Sequence, residues 1–514
     1  MTRLSRISIL ALASVAAWNS QALAQPSDGL SAVAALEQAI TQVIEQAEPS
    51  VVSVARVRQD GSRPFGLRER GERALGQQSP TDLLPNQFGA GVIVAPPQSD
   101  KRYVLTAYHI VRGGPVANRP GSGDDSILQV WFAGDQSCSA TIFAADPRSD
   151  LAVLKLDERG MKLRSGLLRP MSWTTAAPVH KGQFVVTLGN PYWIARDGSA
   201  SVSWGLVSNL VRRPAALTYT QGGPTTLVGV GAAIHVEQRL PIGSSGCPVI
   251  NLRGELVGIA SSLAAIEGYE RSGGFAIPID PSTRWIVETL LAGREVEYGF
   301  LGITPGHDRL PDHIAERLGQ RTAALVQSVP RGSPAQLAGI REGDYILSID
   351  GQPTRSDVDL MRQVTLHPPE TAIQVLIHRG GSELTLKVKL GKWPVFDADD
   401  VIATERRIPL WRGLAVDYPT VRLRAEPTEI PAAVVISEVA PDSPAQAARL
   451  QRWEFISHVN RTPVKTPAEF VEAVKSLKGD VTLRLQTTER RFDRFSDDPG
   501  RTVVIKDKAA SGSP

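Results

Sequence analysis

Three residues in this chain stand in an order that can carry acyl-transfer chemistry: His109, Asp150 and Ser245, separated by 41 and 95 positions. Ser245 lies in "RLPIGSSGCPVINLRGELVGI", where small residues sit between two apolar runs. A serine hydroxyl is a weak nucleophile until a neighbouring base takes its proton, and that base needs an acid to orient it. "YVLTAYHIV" sets His109 where an apolar run ends, and "DPRSDLAVLKL" sets Asp150 directly before another. Asp146 in the same stretch fits a simple turn, so Asp150 is the preferred acid. Gly243 lets the backbone bend so that its own amide and that of Ser245 can face a developing oxyanion; such donors are worth about 3–4 kcal/mol each. Alone, a Gly/Ser hexapeptide is ordinary turn chemistry. The ordered partners upstream make it a candidate site, because the order His, Asp, Ser is one of the arrangements known for such triads.

The elements that must position these residues are short and β-rich. "VVSVARV", "GAGVIVAP", "YVLTAYHIV", "ILQVWF", "LAVLKL", "FVVTLGNP", "PVINLRGELVGI" and "GGFAIPI" follow one another between Val51 and about Ile277, with Gly, Pro, Asn and Asp between them. Many short strands with turn signals predict barrels or sandwiches, here two packed together. Upstream, Leu36, Ile40, Val43, Ile44 and Ala47 share one face of a helix that Pro49 ends. The polar, basic stretch 58–87 is expected to be a loop with a solvated face. After the β-rich region, Ile286, Leu290 and Leu291 predict a helix starting near Ser282 or Thr283 and stopping at Gly293.

An internal repeat follows. "AALVQSVPRGSPAQLAGIREGDYILSIDGQPT" at 323–354 matches "AVVISEVAPDSPAQAARLQRWEFISHVNRTPV" at 433–464, at a constant offset of 110 residues. That period is too long for a solenoid unit, so these are two copies of a small domain. "KWPVFDADDVIATERRIPLW" between them is the linker.

Length and composition bound the class. A chain of 514 residues exceeds one hydrophobic core. Apolar residues at 42% and charged residues at 21% exclude wholesale disorder. A net charge of +3 gives no argument for nucleic acid as partner. Arg3 and Arg6 precede an apolar stretch from Ile7 to Trp18, and Ala22-Leu23-Ala24 fits a small-x-small cleavage site, so residues 1–24 are expected to be a secretory signal peptide. No twin arginine precedes it, and no later run of about 18 apolar residues predicts a transmembrane segment. Export would place the mature chain in a disulfide-permissive compartment, yet it holds only Cys138 and Cys247. Both are expected to remain thiols. No His-Glu-x-x-His motif occurs and no two histidines stand at i, i+4, so neither metal nor cofactor is expected.

Taken together, "GAGVIVAP", "LTAYHIV", "DLAVLKL", "GNPY", "GSSGCPVINLRGELVGI", "GFAIPI" and the paired repeats resemble the HtrA (DegP-like) family over nearly the whole mature chain. The resemblance implies a mainly β fold: a chymotrypsin-like double β-barrel protease domain at 25–290 and two α+β PDZ domains at 297–392 and 410–507, with a linker at 393–409. It implies His109 as general base, Asp150 as orienting acid, Ser245 as nucleophile, and Gly243, Ser244 and Ser245 as the oxyanion-hole segment. In the first repeat "YGFLGI" resembles a carboxylate-binding loop, with Phe300, Leu301, Gly302 and Ile303 as peptide binders. The expected partners are unfolded polypeptides and peptide C-termini, in a periplasmic, trimer-based homo-oligomer.

Two departures bear on activity. The family usually has Gly-Asn-Ser-Gly-Gly-Pro, and here Ser244 replaces the Asn and Cys247 the second Gly. A side chain at Cys247 strains the backbone if that position needs φ > 0. The alternative reading is therefore a catalytically impaired PDZ-bearing chaperone or scaffold. In the second repeat Arg449 and Trp453-Glu454 stand where the first has Gly339 and Gly343-Asp344, and "RGLAV" sets Ala415 at the loop glycine. That copy is expected to fold alike with a weakened ligand grip.

Overall fold

The computed structural model describes residues 25–58, 87–117, 126–134, 136–157, 159, 168–174, 178–190, 198–212, 233–238, 240–241, 243–261, 274–395, 401–406, 408–422, 429–486, 488–489, 494–495 and 501–507. Residues 1–24, expected to be a signal peptide, and the basic stretch between 59 and 86 lie outside them.

Helix α1 (Gln25–Ala47) presents Val43 and Ala47 to the core, with Ile40 and Ile44 packed beside them, and Pro49 lies in the 3-10 turn that follows. Strands β1 (Val51–Arg58), β2 (Gln87–Val94), β3 (Tyr103–Ala107), β4 (Ser126–Phe132), β5 (Gln136–Asp146) and β6 (Leu151–Leu156) run in the order β5-β4-β1-β2-β3-β6, and pairing of β5 with β6 closes them into a barrel. A single helical turn, α2 (Tyr108–Val111), continues β3. Strands β7 (Phe184–Gly189), β8 (Ser201–Arg212), β9 (Ala233–Val236), β10 (Pro248–Asn251), β11 (Leu256–Ser261) and β12 (Gly274–Pro278) close a second barrel.

Strands such as β3 and β11 are buried along their whole length because one face fills a barrel and the other meets its neighbour. Val92, Leu105 and Val153 of the first barrel share one core with Val186, Ile250 and Ile259 of the second. Each such side chain stabilises the fold by about 1.5–3 kcal/mol on burial. This shared core holds the two barrels against each other, and the candidate site lies where they meet.

Helix α3 (Pro281–Leu291) is capped two residues before the earlier of the two expected positions. Asp280, rather than Ser282 or Thr283, accepts the Thr283 amide at 2.9 Å, with Pro281 at the first helical position. Gly293, at φ 71°, ends the helix.

The first C-terminal unit has a two-strand sheet of β13 (Gly299–Phe300) with a partner strand at 391–392, and a main sheet. The main sheet runs β14 (Thr304–Arg309), β15 (Thr322–Ser328), β16 (Tyr345–Ile349), then the strands Ala372–Arg379 and Ser382–Lys389. Its helices cover Asp312–Leu318, Pro334–Leu337 and Asp357–Thr365. The second unit repeats this order with strands Leu414–Asp417, Val434–Val439, Phe455–Val459, Val481–Gln486 and Thr502–Ile505. Ser333 and Ser443 cap equivalent helices by accepting the Gln336 and Gln446 amides.

Two expectations are corrected here. The loop glycine of the second copy is Gly413, not Ala415. A β-carbon on Gly413 would meet the Ser443 side chain at 2.1 Å, as one on Gly302 would meet Ser333 at 2.6 Å, and both glycines have positive φ (81° and 76°). Ala415 lies in the strand beyond. The linker also does more than connect: Ile402–Ala403 pairs with Ala144 and Ala145 of β5, and Ile402 is buried against the first barrel.

Candidate active site

β3 and β6 pair so that Ala107 faces Leu151, which brings Asp150 beside the turn that carries His109. The Asp150 carbonyl accepts the Tyr108 amide at 2.8 Å, and its carboxylate accepts the His109 amide at 3.0 Å. Asp150 holds φ at 57°, in the left-handed region that aspartate tolerates better than most residues. Its carboxylate is buried, and its two oxygens lie 3.0 and 2.9 Å from His109 Nδ1. Both oxygens are acceptors, so Nδ1 carries the proton and neutral His109 presents Nε2 as an acceptor. Nε2 lies 2.9 Å from Ser245 Oγ. His109, Asp150 and Ser245 therefore form one continuous hydrogen-bonded line across the barrel interface.

Ser245 is held by the first barrel as well as the second. Its carbonyl accepts the Ala90 amide of β2 at 2.8 Å, while Gly246 donates to Ala260 of β11 at 2.8 Å. Thr106 Oγ1 ties off the Ala90 carbonyl at 2.6 Å. The loop passes so close to β2 that a β-carbon on Gly246 would sit 2.0 Å from the Ala90 oxygen, and Gly246 has φ 80°. Gly243, at φ 94°, is pressed between Phe88 and the Asn190 carbonyl, at 2.7 and 2.8 Å from where its β-carbon would be. Both glycines are required by shape.

Of the three residues expected to form the oxyanion segment, Ser244 is corrected. Its amide donates to the Pro241 carbonyl at 2.9 Å, a turn bond that removes it from the donors a substrate could use. The amides of Gly243 and Ser245 are left as the candidates.

Cys247 falls outside the left-handed region in which Gly243 and Gly246 lie, so its side chain imposes no backbone strain of that kind. Its sulfur packs over Gly189 in the second barrel, and burial pushes the thiol up to about 12. Cys138 is buried in the first barrel, and no disulfide joins the two.

Ser261 was not singled out by the sequence. Its hydroxyl donates to Asp150 Oδ2 at 3.1 Å from the end of β11. Asp146 is likewise more than a turn residue: it is fully buried and accepts from Arg148 Nε and the Ser149 amide, each at 2.9 Å. Residues 262–273, which follow Ser261, lie outside the described residues. Among the described residues, no cluster of His, Cys, Asp and Glu could hold a metal ion.

In the first C-terminal unit, the segment Phe300–Ile303 leads from the end of β13 into β14, the edge strand of the main sheet. Phe300 and Ile303 are half-buried. Leu301 is in the core and its carbonyl accepts the Ala335 amide at 2.9 Å, so its side chain does not face a ligand.

Comparison with known proteins finds two family matches along the chain. The family described as "Trypsin-like peptidase domain" matches residues 89–259, and "PDZ domain" matches residues 299–390. The chain is 28% identical over 427 residues to a "Probable periplasmic serine endoprotease DegP-like" of Rhizobium meliloti, covering 81% of this chain and 77% of that protein. It is 29% identical over 485 residues to a protein of the same name from Pseudomonas fluorescens, covering 87% and 90%. Among solved structures, "HtrA-type protease AlgW with tripeptide" covers 70% of this chain and 98% of its own, at 23% identity and a TM-score of 0.48.

Proposed function

We propose that this serine-type endopeptidase, a trypsin-like peptidase domain joined to a PDZ domain, is an exported protein-quality-control protease of the HtrA (DegP-like) family. The observation that carries the catalytic roles is His109, with Nδ1 on Asp150 and Nε2 on Ser245. Ser245 Oγ attacks the scissile carbonyl as His109 accepts its proton. Asp150 fixes the imidazole's tautomer and stabilises the imidazolium that forms. The Gly243 and Ser245 amides take the oxyanion. The imidazolium then protonates the departing amine, leaving an acyl-enzyme that water hydrolyses by the same proton relay in reverse.

The proposed substrates are unfolded or damaged polypeptides. An extended chain would add to the edge of β14, its C-terminal carboxylate held by the backbone of 300–303. The boundaries 25–290 for the protease and 297–392 for the PDZ domain belong to the same proposal. So does a second, degenerate PDZ domain at 410–507, supported by its repeated strand order. A periplasmic location is supported by the signal-like N-terminus and by the names of the relatives. Among the described residues, no helix is long and apolar enough to cross a membrane.

A fluorophosphonate probe tests the assignment. The wild-type chain should label, cleave unfolded casein at many sites, and lose both properties in Ser245→Ala. Equal labelling of the two chains would reject it.

A further inference from the structure

The turn directly before Asp150 is clamped by the segment that leaves the barrels for the first C-terminal unit. Asp146 accepts a third hydrogen bond, from the Tyr298 hydroxyl. The Arg148 guanidinium lies 4.6 Å from the Tyr298 ring centre and donates to the Val296 carbonyl. All three side chains are buried. Burial, and next the charge of Asp146, hold the Tyr298 phenol well above its usual range, so it stays a donor to that carboxylate.

This clamp continues into the C-terminal units. Glu295 lies 3.7 Å from Arg148 and 2.9 Å from Lys392 Nζ. Lys392 is fully buried and also meets Glu297 at 3.2 Å and Asp417 at 2.8 Å. Burial pulls its pKa down, but the three carboxylates together outweigh that and hold it charged. Tyr298 is itself tied to this strand, since its carbonyl accepts the Trp393 amide at 2.8 Å. An unbroken series of charged contacts thus runs from Asp417 through Lys392, Glu295, Arg148 and Asp146 to the turn that ends at Asp150.

Asp150 needs outside support. Its backbone is in the left-handed region, and its carboxylate must keep both oxygens within hydrogen-bond reach of one ring nitrogen. Apolar packing could anchor the turn without the desolvation that buried charges carry, whereas hydrogen-bonded charges fix direction as well as place. We infer that Tyr298 and Arg148 are positioning residues for Asp150, through which the seating of the C-terminal units aligns the aspartate with His109.

This inference rests on the catalytic roles proposed above, so the test carries Ser245→Ala as its reference. The full chain is assayed on a fluorogenic peptide, with competent sites titrated. Tyr298→Phe keeps the ring under Arg148 and removes only the hydroxyl. It should lower kcat by about tenfold with KM within about twofold, since small misplacements in a catalytic array already cost rate. Glu295→Gln keeps the side chain's size and weakens the link to Arg148. It should lower kcat severalfold without lowering the melting midpoint, a split that a merely structural role would not produce. Rates within twofold of wild type for both variants, or losses that vanish once corrected for folded fraction, overturn the inference. If Ser245→Ala still turns the peptide over, the catalytic reading itself fails. If Ser245→Ala is inert while both variants run at full rate, only the positioning role falls.

Discussion

A β-carbon on Gly189 would sit 1.9 Å from Cys247 Sγ, so the cysteine of the nucleophile loop fits only because the facing strand has a glycine. Gly189→Ala should therefore destabilise the chain by about 1–3 kcal/mol, the usual cost of overpacking. With the sulfur removed the new methyl meets the β-carbon of residue 247 at 3.5 Å, an ordinary contact. The double variant Gly189→Ala/Cys247→Ala should thus lose less than the two single variants added together. Chemical denaturation of all four chains measures this coupling, and additivity would show that the strand relaxes independently of the sulfur.

The same burial makes the thiol inert. With its pKa pushed up to about 12, Cys247 is protonated at pH 8 and out of reach of reagents. Iodoacetamide should leave Cys247 unmodified in the native chain and alkylate it after denaturation. Two thiols should titrate in the denatured, unreduced protein. A count of zero would mean that the cysteines pair.

Much of the site was legible because each catalytic candidate lies where an apolar run meets a small or polar break, and such breaks survive as local patterns. His109, Asp150 and Ser245 stand in this way, and the structure brings them together. Ser261 and Tyr298 were not legible: they meet Asp150 and Asp146 across 111 and 152 residues of sequence, and periodicity reports which face is buried, not what it meets. In β8 the pattern misleads outright. Val202, Trp204 and Leu206 alternate as an inward face would, yet they are the exposed residues, with Trp204 at 55%. Asp146 looked like a turn residue because nothing nearby in sequence announces Tyr298.

Ser261→Ala tests the support of Asp150 from the second barrel. Losing one donor to a buried carboxylate removes about 1–3 kcal/mol of favourable interaction there. Since Asp150 is proposed to act by holding His109, kcat should fall while KM stays near wild type. Steady-state kinetics decide it, and an unchanged kcat would mean that the bonds from His109 suffice.

Glu295 gives a pH signature of stability instead. Burial raises its pKa first, with Asp417 and Glu297 adding to it against the pull of Lys392 and Arg148. A raised carboxyl binds its proton more tightly in the folded chain, so its contribution is fully present below the unfolded value of about 4.3 and is lost as pH rises through the folded one. Glu295→Gln should therefore gain on wild type as pH rises above the unfolded carboxyl value. Denaturation midpoints at a series of pH values measure the gap; a gap that moves the other way would show that the pull of Lys392 and Arg148 outweighs burial at Glu295.

The second C-terminal unit keeps the first one's backbone while losing its glycines. Gly339 has φ 89° and Gly343 φ 85°; at the matching positions Arg449 has φ 56° and Trp453 φ 77°. Left-handed backbone costs an L-residue with a β-carbon roughly 1–2 kcal/mol, against about 0.5–1 kcal/mol for the extra freedom glycine loses on folding. Arg449 is exposed, so its side chain offers no packing to set against that strain. Arg449→Gly should stabilise the second unit by up to about 1 kcal/mol, and Gly339→Arg should weaken the first by a similar amount. Trp453 differs, because its ring packs against a buried cluster with Arg452 stacked on it, and Trp453→Gly should destabilise despite relieving the same backbone. Hydrogen exchange of the amides in Val434–Val439 and Phe455–Val459 follows the second unit alone. Slower exchange in Arg449→Gly and faster exchange in Trp453→Gly is the expected pair; equal shifts in both would mean that backbone strain, and not packing, governs the unit.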